Sequence, residues 1–67
     1  MRAYARYIQK CLATGQDPLV VEKAALSDPR IPLIPKRKRD GETLSPRDIG
    51  IYYNWLIEQM DRLGGGG

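Results

Sequence analysis

The side chains that most often carry out chemistry are scarce in this sequence and do not cluster. Cys11 is the only cysteine of the 67-residue chain, and there is no histidine. A thiol or hydroxyl nucleophile needs an adjacent general base, and a structural zinc site needs a set of several nitrogen or sulfur ligands. The acidic residues stand singly among basic ones, and no glycine-rich phosphate loop precedes a predicted helix. We therefore predict a protein that is not an enzyme and that holds neither a metal nor another cofactor.

Cys11, the one candidate thiol nucleophile, falls on the apolar side of a predicted helix over residues 2–13. Apolar side chains recur there at helical spacing, on a face formed by Tyr4, Ile8, Cys11 and Leu12. We expect Cys11 to be a buried, small apolar residue, as free cysteine commonly is. A single cysteine in a short chain is typical of a reducing compartment, and no apolar stretch approaches the roughly 20 residues of a transmembrane helix. We expect a cytoplasmic protein without membrane contacts.

Basic residues form two sets that would suit phosphates or an acidic protein surface. One set is an unbroken run that consists of Lys36, Arg37, Lys38 and Arg39. The other recurs every four residues on another face of the first helix and consists of Arg2, Arg6 and Lys10. The net charge of +3 is a milder excess than dedicated nucleic-acid-binding proteins show. Because solvated surfaces also carry such charges, the sequence leaves the kind of partner open.

Two short motifs overlap the basic run. Residues 35–39 match a single-cluster nuclear localisation signal, and residues 32–37 fit the P-x-x-P-x-R pattern that polyproline-binding domains recognise. The first two predicted helices also have a connection of suitable length for a helix-turn-helix. The second helix would present Glu22, Lys23 and Ser27 outwards, however, which is a nearly neutral face for a helix that reads the major groove. We do not favour DNA recognition by this helix.

Local capping signals delimit the first two helices. Gly15 is well placed to end the first helix in a left-handed conformation. Asp17 followed by Pro18 combines an N-cap with a proline at the first helical position, which predicts a second helix over residues 18–26. Its inward face is predicted to consist of Val21, Ala24 and Ala25.

The last helix, predicted over residues 46–63, has the clearest start. Ser45 is the N-cap, Pro46 the first helical residue, and Asp48 can reach back as in a capping box. Leu44 and Ile49 occupy the positions of a hydrophobic staple. The predicted core stripe consists of Ile49, Tyr53, Leu56, Met60 and Leu63, with Tyr52 and Ile57 flanking it. The four glycines at positions 64–67 are predicted to form a flexible tail.

The connection over residues 29–44 is predicted to be extended and irregular. Prolines at positions 29, 32 and 35 have the three-residue spacing of a polyproline II helix, and Asp40-Gly41 is typical of a turn. A connection of about sixteen residues is longer than compact domains usually use, and such loops are commonly functional or disordered. We therefore predict that this loop, with its basic run, takes part in binding.

Ile51 and Trp55 lie away from the core stripe of the last helix. They are four residues apart and point well away from the direction of Ile49, at 100° per residue. In one interpretation, Trp55 is covered by the apolar residues of the long loop, which are Ile31, Leu33 and Ile34. In the other, Ile51, Tyr52 and Trp55 form an exposed aromatic patch of the kind that anchors protein interfaces.

Together these patterns predict an all-α fold, a small three-helix domain over residues 1–63 in which a hairpin of the first two helices packs against the third. In size, helix content and its combination of a basic stripe with an aromatic patch, the chain resembles the very small phage-encoded regulators that dock on host RNA polymerase. The resemblance implies a protein without chemistry of its own. Such a protein would act in the cytoplasm of the host cell by occupying a surface of a large complex bound to nucleic acid.

We accordingly expect a monomeric regulatory protein that binds another protein and modulates transcription. Host RNA polymerase is the candidate partner. One alternative is a direct nucleic-acid-binding protein that uses both basic sets. Another is a small virion or assembly component whose contacts with other copies are its purpose. The predicted partner-binding residues are Lys36, Arg37, Lys38, Arg39, Ile51, Trp55, Tyr52, Arg2, Arg6 and Lys10.

Overall fold

The computed structural model describes residues 2–64, and it contains four α-helices in this part of the chain. These are α1 (Arg2–Thr14), α2 (Pro18–Leu26), α3 (Leu33–Arg39) and α4 (Pro46–Gly64). The predicted all-α class is confirmed. The predicted number of three helices is wrong, because α3 lies inside the segment that was expected to be an irregular loop. The last glycines, at positions 65–67, lie outside the described residues.

The connection between α1 and α2 has the predicted capping chemistry. Gly15 adopts φ 71°, and the amide of Gln16 donates to the carbonyl of Cys11 at 2.9 Å, which is the long bond of a Schellman cap. The Asp17 carboxylate then accepts from the amide of Leu19 at 2.9 Å, so it caps α2 as expected. These two caps turn the chain between two helices within three residues, at positions 15–17.

Helix α3 replaces the predicted polyproline II segment. Its first backbone bond runs from the amide of Lys36 to the carbonyl of Pro32 at 3.0 Å. Pro35 stands at the third helical position, where an amide has no partner within the helix, so its missing N–H costs no hydrogen bond. Gly41 adopts φ 86° after the last turn, and the amide of Glu42 donates to the carbonyl of Arg37 at 3.0 Å. The predicted Asp40-Gly41 turn is therefore the C-terminal cap of a helix.

Helix α4 is the central element, because it packs against each of the other three helices. Its start agrees with the prediction, since the Ser45 hydroxyl accepts from the amide of Asp48 at 3.2 Å. The rings of Tyr4 and Tyr7 in α1 contact Tyr53, while α3 lies beside Trp55. Two residues along a helix correspond to a rotation of about 200°, so α1 and α3 flank α4 on nearly opposite sides.

The hydrophobic core lies between α4 and the helices around it. The core residues of α1 are Tyr7 and Cys11, whereas Tyr4 and Leu12, which were predicted to be on the same face, are 47% and 74% exposed. Ala24, which was also predicted to face inwards, is exposed. The predicted side-chain position of Leu63 lies outside what the structure describes. The buried hydrophobic cluster consists of Tyr7, Cys11, Val21, Ala25, Leu44, Tyr52, Leu56 and Met60, and Pro35 of α3 is fully buried as well.

The buried faces of α1 and α4 are rotated relative to the predicted ones, because two tyrosines bury their rings there and satisfy their hydroxyl groups. Tyr7 is 2% exposed, and its hydroxyl donates to the carbonyl of Pro18. Tyr52 is fully buried, and its hydroxyl donates to the Glu22 carboxylate. A buried tyrosine is stable where its hydroxyl group finds such a partner. Each hydrogen bond therefore connects a residue of α2 to a neighbouring helix, Pro18 to α1 and Glu22 to α4.

Candidate protein-binding groove

The basic run does not lie on a loop but forms the last turns of α3. Lys36, Lys38 and Arg39 are exposed, and Arg37 is half-buried. Cations in the last turn of a helix interact favourably with its macrodipole, which gives the run a structural role. Arg37 also pairs with Glu42 at 3.3 Å and Arg39 with Asp40 at 3.6 Å. Within residues 2–64, Lys36 and Lys38 take part in no ion pair, so these two cations remain available to a partner.

The second basic set, on α1, is separate from the first. Arg2 and Arg6 are exposed as predicted, but Lys10 forms an ion pair with Asp61 of α4. This pair connects α1 to α4 at a partly exposed position, so Lys10 is engaged within the protein, and its part in partner binding stays a prediction. Because α1 and α3 flank α4 on opposite sides, the two basic sets do not combine into one surface.

An apolar groove runs between α3 and α4. It encloses about 520 Å³, and Leu33 and Ile51, which line it, are 68% and 43% exposed. The only polar side chains among its lining residues are those of Asn54 and Glu58, at the α4 side. The other residues along its walls are Pro32, Ile34, Pro35 and Trp55. The groove can therefore bury aliphatic or aromatic side chains of a partner.

Trp55 combines the two roles that the sequence left open. It packs against the core cluster, and its ring stacks on that of Tyr52 with the centroids 6.3 Å apart. Its remaining surface lines the groove together with Ile51. Tyr52 itself is fully buried, so its predicted place in an exposed aromatic patch is wrong. The helical periodicity of the α4 sequence correctly predicted that Ile51 and Trp55 are neighbours outside the centre of the core.

Leu33 is a groove residue outside the predicted partner-binding set, because the sequence predicts an irregular loop there whose apolar residues cover Trp55 in one interpretation. Its exposure follows from its place at the first position of α3. The sequence signal that would have revealed it is the combination of Pro32 before the helix and Gly41 after it. If these two signals are taken to delimit a helix, Leu33 becomes an apolar residue of its first turn, near Pro35. The cations then lie at the other end of that helix.

The described residues offer neither a metal-binding cluster nor a membrane-spanning helix. In residues 2–64, no set of three or more histidine, cysteine, aspartate or glutamate side chains lies close enough to hold a metal ion. Nor does any helix in this part of the chain have the length and apolar character that crossing a membrane requires. Comparisons of the chain with protein-family models, curated proteins and solved structures found no significant match.

Proposed function

We propose that this chain is a non-catalytic protein-binding module that docks on a larger partner through the groove between α3 and α4. The observation that carries this proposal is the exposure of Leu33 of α3 and Ile51 of α4 in one groove, which Trp55 also lines. Protein interfaces are commonly anchored by apolar and aromatic side chains in such pockets. A continuous apolar groove on a domain of this size is also the kind of surface that a partner covers.

The occupant that fits best is an amphipathic protein segment with apolar anchors and acidic neighbours. The groove accepts the apolar side chains, and the later turns of α3, the helix that forms one of its walls, carry Lys36 and Lys38, which form no ion pair within residues 2–64. Complementary charge at the rim of an interface steers the encounter and excludes basic partners. We therefore expect affinity from the groove and selectivity from the two lysines.

The resemblance to phage-encoded regulators suggests RNA polymerase as the first partner to test, with modulation of transcription as the outcome. Immobilised wild-type protein would be titrated with purified bacterial RNA polymerase by biolayer interferometry. Leu33→Asp places a carboxylate in the groove, yet it stabilises the first turn of α3 through the helix dipole. Burial of one leucine contributes about 2 kcal/mol, so we expect the dissociation constant to rise about thirtyfold.

Leu12→Asp is the matched control for this experiment. Leu12 is 74% exposed on α1, outside the groove, and the substitution is chemically identical. Equal weakening by both substitutions would contradict a role for the groove. Absence of binding by the wild type would exclude RNA polymerase. A photo-crosslinking amino acid at position 51, compared with one at position 12, would then identify the groove's partner in a nuclease-treated lysate.

Direct nucleic-acid binding is a second candidate, favoured by the two unpaired lysines of α3. Two phosphate contacts would give a slope of about −1.8 for the logarithm of affinity against the logarithm of salt concentration on duplex DNA. Contacts by all seven residues of both basic sets would give a slope of about −6. Fluorescence titration of labelled DNA at several salt concentrations separates these cases. Because the two sets lie on opposite flanks of α4, we expect at most the shallow slope.

A further inference from the structure

All four tyrosines of the protein form one connected cluster, in which Tyr4 and Tyr7 of α1 meet Tyr52 and Tyr53 of α4. The ring of Tyr53 lies at their centre. Its centroid is 5.0 Å from that of Tyr4, with the two rings near perpendicular at 70°, and 5.6 Å from that of Tyr7. The rings of Tyr52 and Tyr53 are also near perpendicular, with centroids 5.0 Å apart. Three of these rings, Tyr4, Tyr7 and Tyr53, face a common small pocket.

This tyrosine pocket encloses about 130 Å³ between α1, α2 and α4. Its volume corresponds to that of about four water molecules in the liquid, so it has room for one small chemical group and not for an extended ligand. Glu22 of α2 lines the pocket together with the three rings. The aromatic faces and the carboxylate are all regions of negative electrostatic potential.

Glu22 is half-buried, and it forms no ion pair within residues 2–64. Its carboxylate accepts a hydrogen bond from the Tyr52 hydroxyl. Two basic residues line the cleft on the other side of Glu22: Lys23 is exposed there, and Arg39 pairs with Asp40. Neither lines the tyrosine pocket. The pocket therefore presents a half-buried carboxylate that forms no ion pair within residues 2–64.

The surrounding tyrosines respond to this charge. Burial raises the pKa of Tyr52 and of Tyr53, and the Glu22 carboxylate raises both further. For Tyr7 the pKa is also raised, first by burial, then by Cys11, and then by Glu22. The field of one carboxylate thus reaches three rings, and it disfavours any additional negative charge in the pocket.

We propose that the tyrosine pocket binds an alkylammonium group, with the cation against the rings of Tyr4 and Tyr53, which are more exposed than that of Tyr7, and its charge balanced by Glu22. Aromatic rings combined with a carboxylate are the arrangement that recognises organic cations, and the attraction grows when the site is shielded from water. The group can belong to a small free amine or to a lysine side chain of a protein. This inference is independent of the function proposed for the groove, because the two sites share no lining residue.

The experiment compares choline with its uncharged isostere, 3,3-dimethylbutan-1-ol, by two-dimensional NMR of the tyrosine ring protons. Both compounds have the same shape, and only choline carries a positive charge. We expect saturable shifts of the Tyr4 and Tyr53 ring signals with choline and none with the isostere. Equal shifts with both compounds would reduce the pocket to an apolar cavity and overturn the proposal. Absence of shifts with every ammonium probe would overturn it as well.

A second arm of the experiment identifies the source of the cation. Acetyl-lysine-methylamide, with a side chain carrying no, one, two or three methyl groups, would be titrated under the same conditions. Tighter binding of the lysine derivatives than of choline assigns the pocket to a protein lysine. The reverse order assigns it to a small amine, and either order supports the proposal.

Two substitutions test the residues themselves. Tyr4→Leu removes one aromatic face at a position that is 47% exposed, so the core remains intact. Glu22→Gln removes the charge and keeps an oxygen that can accept from Tyr52. We expect each to weaken choline binding about tenfold, as the loss of one moderate cation–π or charge contact does. Glu58→Gln makes the same charge change at the groove and should leave binding unaltered. If Glu22→Gln unfolds the domain, Tyr4→Leu still decides the matter, because unchanged affinity in that variant would contradict the proposal.

Discussion

The hydrogen bond from Tyr52 to Glu22 allows a quantitative test of how α2 is held on α4. Tyr52 is fully buried, and Tyr52→Phe removes only the hydroxyl group that donates to the carboxylate. Hydrogen bonds to charged groups contribute about 1.5 to 3 kcal/mol. Because Glu22 is partly exposed and can regain water, we expect a loss at the lower end, about 1.5 kcal/mol. A chain of this size has a total stability of about 3 to 10 kcal/mol, so the loss is a substantial fraction of it.

The measurement is urea and thermal unfolding followed by circular dichroism. A loss of 1 kcal/mol shifts the melting temperature of a small domain by about 4 to 8 °C, so we expect Tyr52→Phe to melt about 6 to 12 °C below the wild type. Tyr4→Phe is the matched control, because the same hydroxyl group is removed at a position that is 47% exposed. If both variants melt at the same temperature, the hydrogen bond contributes nothing to stability, and the packing of the Tyr52 ring alone holds α2.

Three further predictions concern pH, backbone and thiol chemistry. The pKa values of Tyr7 and Tyr52 in the folded protein are raised above 10.0, so the stabilisation that this shift gives is fully present below that pH and is lost above it. The free energy of unfolding should therefore fall above pH 10.0 by up to about 1.4 kcal/mol per pH unit and per tyrosine. Urea unfolding at a series of alkaline pH values measures this fall. Gly41→Ala should destabilise the fold by about 1 kcal/mol, because Gly41 has φ 86°. Gly50→Ala should stabilise the fold by up to about 1 kcal/mol, because Gly50 lies inside α4 with open space around the added methyl group. A Gly50→Ala variant less stable than the wild type would contradict this account. Cys11 is fully buried, so a thiol reagent should react with it only through opening of the fold, and fast labelling under native conditions would refute its burial.

The sequence was sufficient for those features whose chemistry is local. Gly15, Asp17 and Ser45 each satisfy backbone groups within a few residues, so the ends that they cap could be predicted from spacing alone. The helical phase of α4 likewise separated Ile51 and Trp55 from the centre of the core. These predictions depend on no contact with a distant part of the chain.

The features that failed depend on distant partners or on ambiguous local signals. Prolines at positions 32 and 35 suit a polyproline II helix as well as the N-terminus of an α-helix, and the packing of Pro35 in the core decides between them. The buried faces of α1 and α4 are rotated towards Tyr7 and Tyr52. Their hydroxyl partners lie 11 and 30 residues away, and no sequence pattern shows such pairs. The groove was missed in part because Leu33 belongs to the unpredicted helix.

The pairing of α1 with α4 has a consequence for the order in which the protein can fold. The two helices run parallel, since Tyr7 contacts Tyr53 and Cys11 contacts Met60, 49 residues further along the chain. During synthesis α1 emerges first and α4 last, so the apolar side of α1 stays uncovered until the whole domain has been made. Closing so long a loop costs entropy before any contact compensates for it. Folding of this domain on the ribosome is therefore delayed until α4 has been made and has left the exit tunnel, and a nascent chain stalled before α4 would be a substrate for chaperones or proteases.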